Sequence, residues 1–391
     1  AGRPPRKSMT RAAQNDTTTP TLYLAFELGG SKWVLGFTTE IARPPRRRTL
    51  AANEAKSQIK QIVKEIEQAK VRFGLDPDAP VKSVYEAGRD GFWLDRALAV
   101  LGVENVVIEP ASLMVDRRAR RAKTDRLDLQ ELLCSLVRHH RGERVWRVVR
   151  VPSTEVEDLR HLSRRRERLV KEQTQHVVRI KSLLNLQGLK FQGVALKGLE
   201  EVLPTLQCPD GSAVGAQLLA DVRDELARLR LVQAQLDAIK KLQEKLLKQA
   251  APANPVVAQA QRLTQLKGIG AVSAFVLSGE FFAWREFRNR KQVGALAGLT
   301  DTPWKSDGID RQQGISKAGN RRVRTLAVEL SWGWLQHQPN SKLTRWYRDQ
   351  TSSGKKRFKR VAIVAMARKL LVELWHFLDH GVVPQGAILS S

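Results

Sequence analysis

Cysteine is nearly missing from this chain: 391 residues carry two, Cys134 and Cys208, with no CxxC or Cys/His spacing around either. That excludes a zinc ribbon and a disulfide framework, and leaves both side chains as reduced thiols. No uninterrupted apolar run reaches the ~18 residues that a bilayer span needs, and no basic-then-apolar signal opens the chain. A cytoplasmic protein with no membrane partner is therefore expected. Acidic side chains are also scarce, 40 Asp and Glu against 67 Lys and Arg, for a net charge of +27. A surplus of that size repels itself until a polyanion neutralises it, so nucleic acid is the expected partner. Internal repeats are absent as well. What is present is an apolar fraction of 42%, enough for two or three folded domains.

Residues 1–20, with Arg3, Arg6, Lys7 and Arg11 among small and polar residues, read as a flexible basic arm. From Thr21 to Phe26 an apolar run predicts a strand, Gly29 and Gly30 a tight turn, and Trp33 to Phe37 the returning strand. A helix over Glu54 to Phe73, a strand over Val81 to Glu86, a helix near Gly91 to Leu101, a strand near Val106 to Glu109 and a helix from about Thr124 to His139 follow. That alternation makes residues 21–150 an α/β domain. Residues 151–250 differ. Leu159, Leu162, Leu169, Val177, Ile180 and Leu184 make one helical seam, and Val222, Leu226, Leu229, Gln233 and Leu236 make another. Two long helices joined through 188–211 predict a coiled coil, antiparallel or intermolecular, and a dimerisation element. Residues 251–380 read as a mostly helical domain, with helices near Lys317 to Gln336 and Lys355 to Leu378, and 381–391 as a tail.

Four acids stand out. Glu27 ends the first strand and is flanked by Phe26, Leu28 and Gly29, where a charge is out of place. Glu86 ends a later strand, and Asp125 and Asp128 are three residues apart, hence on one helical face. Carboxylates that converge repel one another, and shared divalent cations relieve this; all-oxygen ligands suit Mg²⁺ or Mn²⁺. Two such ions about 4 Å apart can activate the attacking oxygen and stabilise the leaving one in phosphoryl transfer. Arg117, Arg118, Arg120, Arg121, Lys123 and Arg126 border the acids and are candidates to lead a phosphate backbone to them. Each acid taken alone fits a solvated surface residue better than a metal ligand. Gly268-Ile269-Gly270 is a tight turn that either brings backbone N–H groups to a phosphate or is merely structural.

Phe26-Glu27-Leu28-Gly29, Tyr85-Glu86-Ala87-Gly88 and Lys123-Thr124-Asp125-Arg126-Leu127-Asp128 resemble the acidic motifs of the DEDD insertion-sequence transposases, relatives of the Piv DNA invertases. Gly268-Ile269-Gly270, Ala297-Gly298-Leu299-Thr300, Ser306, Ile315 to Asn320 and Arg324 match farther along, so the likeness covers about Leu22 to Leu378. It implies a RuvC-like (RNase H-like) domain holding the metal at Glu27, Glu86, Asp125 and Asp128, a coiled coil, and a C-terminal transposase domain with a catalytic serine. Two serines compete for that role. The nucleophile of the family pattern lies ten positions into the segment beginning Ala-Gly-Leu, which is Ser306. Ser316 reads instead as a helix N-cap, followed by Lys317, Arg321, Arg322 and Arg324, placed for phosphate. At the first acidic position the family usually has Asp where this chain has Glu27, a carboxylate that reaches one methylene farther.

The resemblance further implies recombination of donor and target DNA through a phosphoserine-DNA intermediate, guidance by a noncoding bridge RNA, and a homo-oligomer: a dimer, and a tetramer when two duplexes are held in synapsis. The Arg164, Arg165, Arg166, Arg168 run and the Lys355, Lys356, Arg357, Lys359, Arg360 run fit backbone contact or a solvated helix face. Rival readings are a RuvC-like junction-resolving nuclease that uses water, and a non-catalytic nucleic-acid scaffold.

Overall fold

The computed structural model describes residues 20–41, 44–51, 54–89, 91–112, 125–190, 198–306, 309–352, 354 and 356–390, without the side chains of 111, 125–128, 303–306 and 309–313. The basic arm over residues 1–19 and Arg117, Arg118, Arg120, Arg121 and Lys123 therefore lie outside the described residues. The chain divides into two compact units, residues 1–151 and 152–391.

The first unit is built on β1 (Leu22–Leu28), β2 (Lys32–Thr38), β3 (Arg46–Ala51), α1 (Ala55–Phe73), β4 (Val81–Glu86), α2 (Trp93–Val100), β5 (Glu104–Ile108) and α3 (Asp125–His140). The five strands form one sheet in the order β3-β2-β1-β4-β5. The β1–β2 and β2–β3 pairs are antiparallel, while β4 lies parallel to both β1 and β5. Strand alternation sends Leu22, Leu24, Phe26, Val81 and Tyr85 to one face, where they pack with Ile62, Ile66, Leu94 and Leu98 of α1 and α2. The other face carries Ala25 and Val84 under Leu129, Leu132, Leu133 and Leu136 of α3. A sheet covered on both faces in this way is a three-layer α/β/α unit. The third strand has no counterpart among the sequence expectations: its Arg-Arg-Arg-Thr stretch lacks apolar alternation. It forms because β2 presents an open edge and because Arg46 and Arg48 both reach Glu65 on α1, at 2.9 and 3.1 Å.

The second unit opens with α4 (Thr154–Asn185), followed by the short α5 (Leu199–Val202) and then α6 (Ala216–Leu247). Ile180 and Leu184 pack with Val222, Leu226 and Leu229, while Leu169 packs with Val232 and Ile239, so the two 32-residue helices run antiparallel. The α6 seam departs from the expected one at Gln233, which is exposed; Val232 is buried in its place. A strict alternation of three- and four-residue steps from Val222 runs through Glu225, Leu229, Val232, Leu236, Ile239 and Gln243, which puts two polar residues inside. Glu225 is held by His176 Nδ1 at 2.6 Å, Arg179 Nη1 at 2.7 Å and Arg228 Nη1 at 2.8 Å.

Behind the hairpin, α7 (Pro255–Thr264), α8 (Ala271–Leu277), a π turn (Ser278–Phe282) and α9 (Arg290–Leu296) lead into a β-hairpin, β6 (Asp301–Ser306) and β7 (Ile309–Ile315). Then come α10 (Arg321–His337), α11 (Lys342–Gln350) and α12 (Lys356–His380). Their core gathers Phe275, Phe281, Trp334, Met366 and Leu370, and the ends of both long helices join it through Val156 and Leu246. Residues after α12 fold back as well: Leu389 bridges Leu266, and the buried Gln338 donates to the carbonyls of Lys267 and Ile388. Among the described residues no helix is long and apolar enough to cross a membrane.

Burial by itself would push the Glu225 carboxyl up, but the hydrogen bonds from His176 and Arg179 more than reverse this and hold it at about 2, against an ordinary 4.5. A depressed carboxylate contributes stability that is complete above its unfolded value and lost as pH falls through its folded one. The helical hairpin is thus expected to lose stability as pH drops from 4.5 towards 2, and Glu225→Gln should flatten that dependence while costing about 1–3 kcal/mol near neutrality. Denaturation of the full chain followed by far-UV circular dichroism across this pH range checks both effects; an unaltered acid profile in the variant contradicts the assignment.

Candidate active site

In the parallel β1–β4 pair the last registered partners are Phe26 and Tyr85, so Glu27 and Glu86 are the next residues of two neighbouring strands, which lie about 4.8 Å apart. Alternation decides their side. Tyr23, Ala25 and Glu27 share one face of β1, and Lys82, Val84 and Glu86 share one face of β4; Ala25 and Val84 place both sets beneath α3. Both glutamates are half-buried, and Oε2 of Glu27 is closed to solvent.

The direction of α3 settles which of its ends meets them. At its C-terminus His140 lies 5.9 Å from the Tyr23 ring and accepts a 2.7 Å hydrogen bond from Lys82 Nζ, so that end sits over the beginnings of β1 and β4. Leu129 sits over Gly36, the β2 partner of Ala25. The helix therefore runs antiparallel to β1, and its N-terminus comes to the end of the sheet where Glu27 and Glu86 stand. Between Asp128 and His140 it rises about 18 Å, against about 13 Å along β4 from Lys82 to Glu86. Asp125 and Asp128 precede Leu129 and Leu132 by one helical turn, which assigns both positions to the sheet-facing stripe. Their side chains, and that of Arg126, lie outside the described residues. Among the described residues no group of three His, Cys, Asp or Glu side chains is spaced to hold a metal.

Close seating of α3 depends on Gly36. A Cβ at that position would fall 2.6 Å from Leu129 Cδ2 and 3.0 Å from Leu133 Cδ1. Every larger residue would lift the helix that carries Asp125 and Asp128 off the sheet.

In the second unit Ser306 is the last residue of β6 and pairs with Ile309 across the tip of the hairpin; residues 307 and 308, and the side chain of Ser306 itself, lie outside the described residues. The base of this hairpin is tightly built. Ser316 N donates to Thr300 O at 2.8 Å, Lys317 N to Gly298 O at 3.1 Å and Asn320 N to Leu296 O at 2.9 Å. Gly298 has a φ of 68°, and a Cβ there would meet Arg324 Nη1 at 2.5 Å, so only glycine fits. Lys317 itself holds a left-handed φ of 55°, and Arg324 Nη1 braces the turn by donating to Ala297 O and Lys317 O. Ser316 is consequently not the N-cap of the following helix. Asn320 is: its side-chain oxygen accepts from Arg322 N and Val323 N, because the backbone over 317–319 cannot join the helix.

One buried carboxylate in this unit went unnoticed in the sequence. Glu280, 1% exposed, lies in the π turn and takes a two-pronged hydrogen bond from Arg164, 2.6 Å from Nε and 3.1 Å from Nη2. Asn320 Nδ2 donates to the same carboxylate and to the Glu280 carbonyl, both at 3.3 Å. Burial would raise its pKa, but Arg164, Arg160 and Asn320 together hold it below the ordinary carboxylate value. Its signal was of the same kind as that of Glu27, a single charge inside the apolar run from Phe275 to Trp284. Through it, α4 is tied to the residue that starts α10.

Several candidate phosphate contacts have other duties here. Arg164 serves Glu280, Arg322 donates to Glu167, and Arg324 braces carbonyls. Lys317 and Arg321 are exposed. Gly268, at φ 93°, lies against His337, while Gly270 caps α8. Trp334 and Trp375 are buried in the core of this unit, but Trp332 is 47% exposed, its ring edge-on to Tyr347.

A family model described as the transposase IS116/IS110/IS902 family matches residues 260–345, and a DEDD transposase model of the IS110 type matches residues 49–187. The chain is 37% identical over 378 residues to the Sinorhizobium fredii protein y4rJ, named as a transposase, with 95% of each chain covered. It is 27% identical over 285 residues to the transposase for insertion sequence element IS1111A of Coxiella burnetii, covering 72% of this chain and 73% of that one.

Two substitutions test the supports described above. Gly36→Ala should cost about 1–3 kcal/mol through overpacking against Leu129, measured by denaturant unfolding; an unchanged midpoint would mean α3 does not rest on this glycine. Arg164→Ala, which leaves Glu280 buried beside a more distant Arg160, should cost about 3–5 kcal/mol. Glu280→Gln should cost less, and the opposite order contradicts the ion-pair account.

Proposed function

The chain belongs to the IS116/IS110/IS902 family of transposases, and from that premise we propose that it cuts and rejoins DNA with a divalent metal centre in its first unit and Ser306 as the nucleophile. The observation that carries the metal half is the pairing of Glu27 and Glu86 at adjacent strand ends, on the face of the sheet reached by the N-terminus of α3. Glu27, Glu86, Asp125 and Asp128 would hold Mg²⁺ or Mn²⁺. An all-carboxylate set with one oxygen closed to solvent suits a hard cation. When bound, such ions lower the cost of deprotonating the attacking oxygen and stabilise the leaving one.

Ser306 supplies the hydroxyl. Its place at the end of β6 in a hairpin whose base is stiffened by Gly298, Asn320 and Arg324 supports this reading. In the proposed reaction Ser306 Oγ bonds to the scissile phosphorus, the bond from phosphorus to one DNA oxygen breaks, and that oxygen leaves with a proton. A hydroxyl of the other duplex then attacks the phosphoserine and releases the serine. Because one phosphodiester is stored as another, neither ATP nor a ligase is needed. We read the α4–α6 pair as a coiled coil that serves a homo-oligomer, and the net charge of +27 as capacity for donor DNA, target DNA and a bridge RNA whose base pairing chooses the sites.

Ser306→Ala should abolish a detergent-stable adduct between protein and DNA and lower strand exchange by on the order of 10³-fold or more. Asp125→Ala and Asp128→Ala should do the same to exchange while leaving RNA binding intact. Cleavage that proceeds at an unchanged rate in Ser306→Ala would instead identify a nuclease that uses water, and exchange that survives both aspartate substitutions would identify a scaffold.

A further inference from the structure

Six consecutive residues at the start of α12, Lys356 to Val361, are all exposed, so this end of a 25-residue helix stands clear of the core. Four of the six are cations, Lys356, Arg357, Lys359 and Arg360. No ion pair among the described residues engages them, and the first turn contains no acid. The other two are Phe358 and Val361, 50% and 61% exposed. They are not the frayed end of the core stripe. Counting about 100° per residue, Val361 lies opposite Ile363, Met366 and Leu370, which face the core, and Phe358 lies beside it on the outward side. The same outward stripe continues at four-residue steps through the half-buried Ala365 to Lys369, whose ammonium sits 4.8 Å from the Trp346 ring of α11.

We propose that this outward face of α12, from Phe358 to the Lys369–Trp346 pair, binds an unpaired stretch of nucleic acid, with Phe358 stacking on a base and Lys356, Arg357, Lys359 and Arg360 on its phosphates. An exposed ring among four cations has little to gain from an apolar protein surface, whose approach would desolvate those cations. A polyanion that also offers flat apolar faces satisfies both halves of the site. Duplex DNA offers only the polyanion, because its base faces are already stacked inside, whereas unpaired bases are free to lie on an aromatic ring. The length fits as well. From Phe358 to Lys369 the helix rises about 16 Å, room for about five stacked nucleotides at 3.4 Å each, within the range of known single-strand sites. Trp346, half-buried against the core with Lys369 over its ring, bounds the far end of the track. The site stands on the exposed face of α12 alone and does not depend on Ser306 being the nucleophile.

The test uses the full chain and three fluorescent probes, single-stranded oligo-dT, an oligo-U RNA of the same length and duplex DNA, titrated by anisotropy at several salt concentrations. Phe358→Ala should weaken binding of the unpaired strands by about 5- to 100-fold, leave their salt dependence unchanged and leave the duplex untouched; Phe358→Trp should restore the affinity. Lys359→Gln with Arg360→Gln should lower the slope of log affinity against log salt by about 1.4 on single strands. A loss confined to RNA or to DNA supports the track and names the polymer. Equal loss on duplex and single strand, or no loss on either unpaired strand, overturns it. So does a Phe358→Ala chain that changes oligomeric state in gel filtration while keeping full affinity, since a second copy would then be what covers the ring.

Discussion

The seat of α3 on the sheet over Gly36 is the contact on which the first unit depends. Two leucines, Leu129 and Leu133, occupy the space that a Cβ would need, so the helix lies against β1, β2 and β4 rather than being propped above them. Its antiparallel run, anchored by His140 at Tyr23 and Lys82, carries its acidic first turn to the end of the two parallel strands where Glu27 and Glu86 stand. Parallel neighbours are what make the arrangement possible. Strands that run the same way end at the same edge, and two in-register residues then point to the same face.

The second unit is organised by buried charge. Glu225 sits at a core position of the α4–α6 seam and Glu280 in the π turn beneath the hairpin, each surrounded by guanidinium groups. Apolar residues would fill both places with less desolvation cost. What the carboxylates add is direction: Glu225 accepts only where His176 and Arg179 come opposite it, and Glu280 accepts only when Arg164 and Asn320 approach together. The first limits how the two long helices can slide past one another. The second joins α4 to the start of α10, and so to the loop that supports the serine hairpin. α8 runs on into a π turn, with Ala283 N reaching back to Ser278 O, and Glu280 is buried within that turn.

Much of this fold was legible in the residues. The β1–β2 hairpin, α1, β4 and the two long helices follow from apolar periodicity that the structure leaves almost unchanged, because each of these elements buries one continuous face. β3 was not legible, since its arginines pair with Glu65 across a distance in sequence that periodicity does not see. The β6–β7 hairpin was missed for a similar reason: Asp301 to Ser306 has no alternating apolar pattern, and its base is set by carbonyls and amides of loops on both sides. The expected cap at Ser316 moved to Asn320 because Lys317 and Gly319 take backbone angles outside the helical region. A capping residue is recognised locally, but whether the next three residues can turn into a helix is decided by what holds their backbone.

Composition, periodicity and motif order by themselves determined that this chain is a basic α/β and helical protein, that its acids end strands and open a helix, and that it resembles DEDD transposases. These are properties of residue type and spacing, which the chain carries before it folds. Tertiary structure alone decided which charges remain outward. Arg164, Arg322 and Arg324 are occupied by Glu280, Glu167 and backbone carbonyls, whereas the cations around Phe358 are exposed. Arginines in a run look alike in sequence. The acids that engage Arg164 and Arg322 come from elements more than a hundred residues away, and only folding brings them within hydrogen-bond reach while leaving other arginines to solvent.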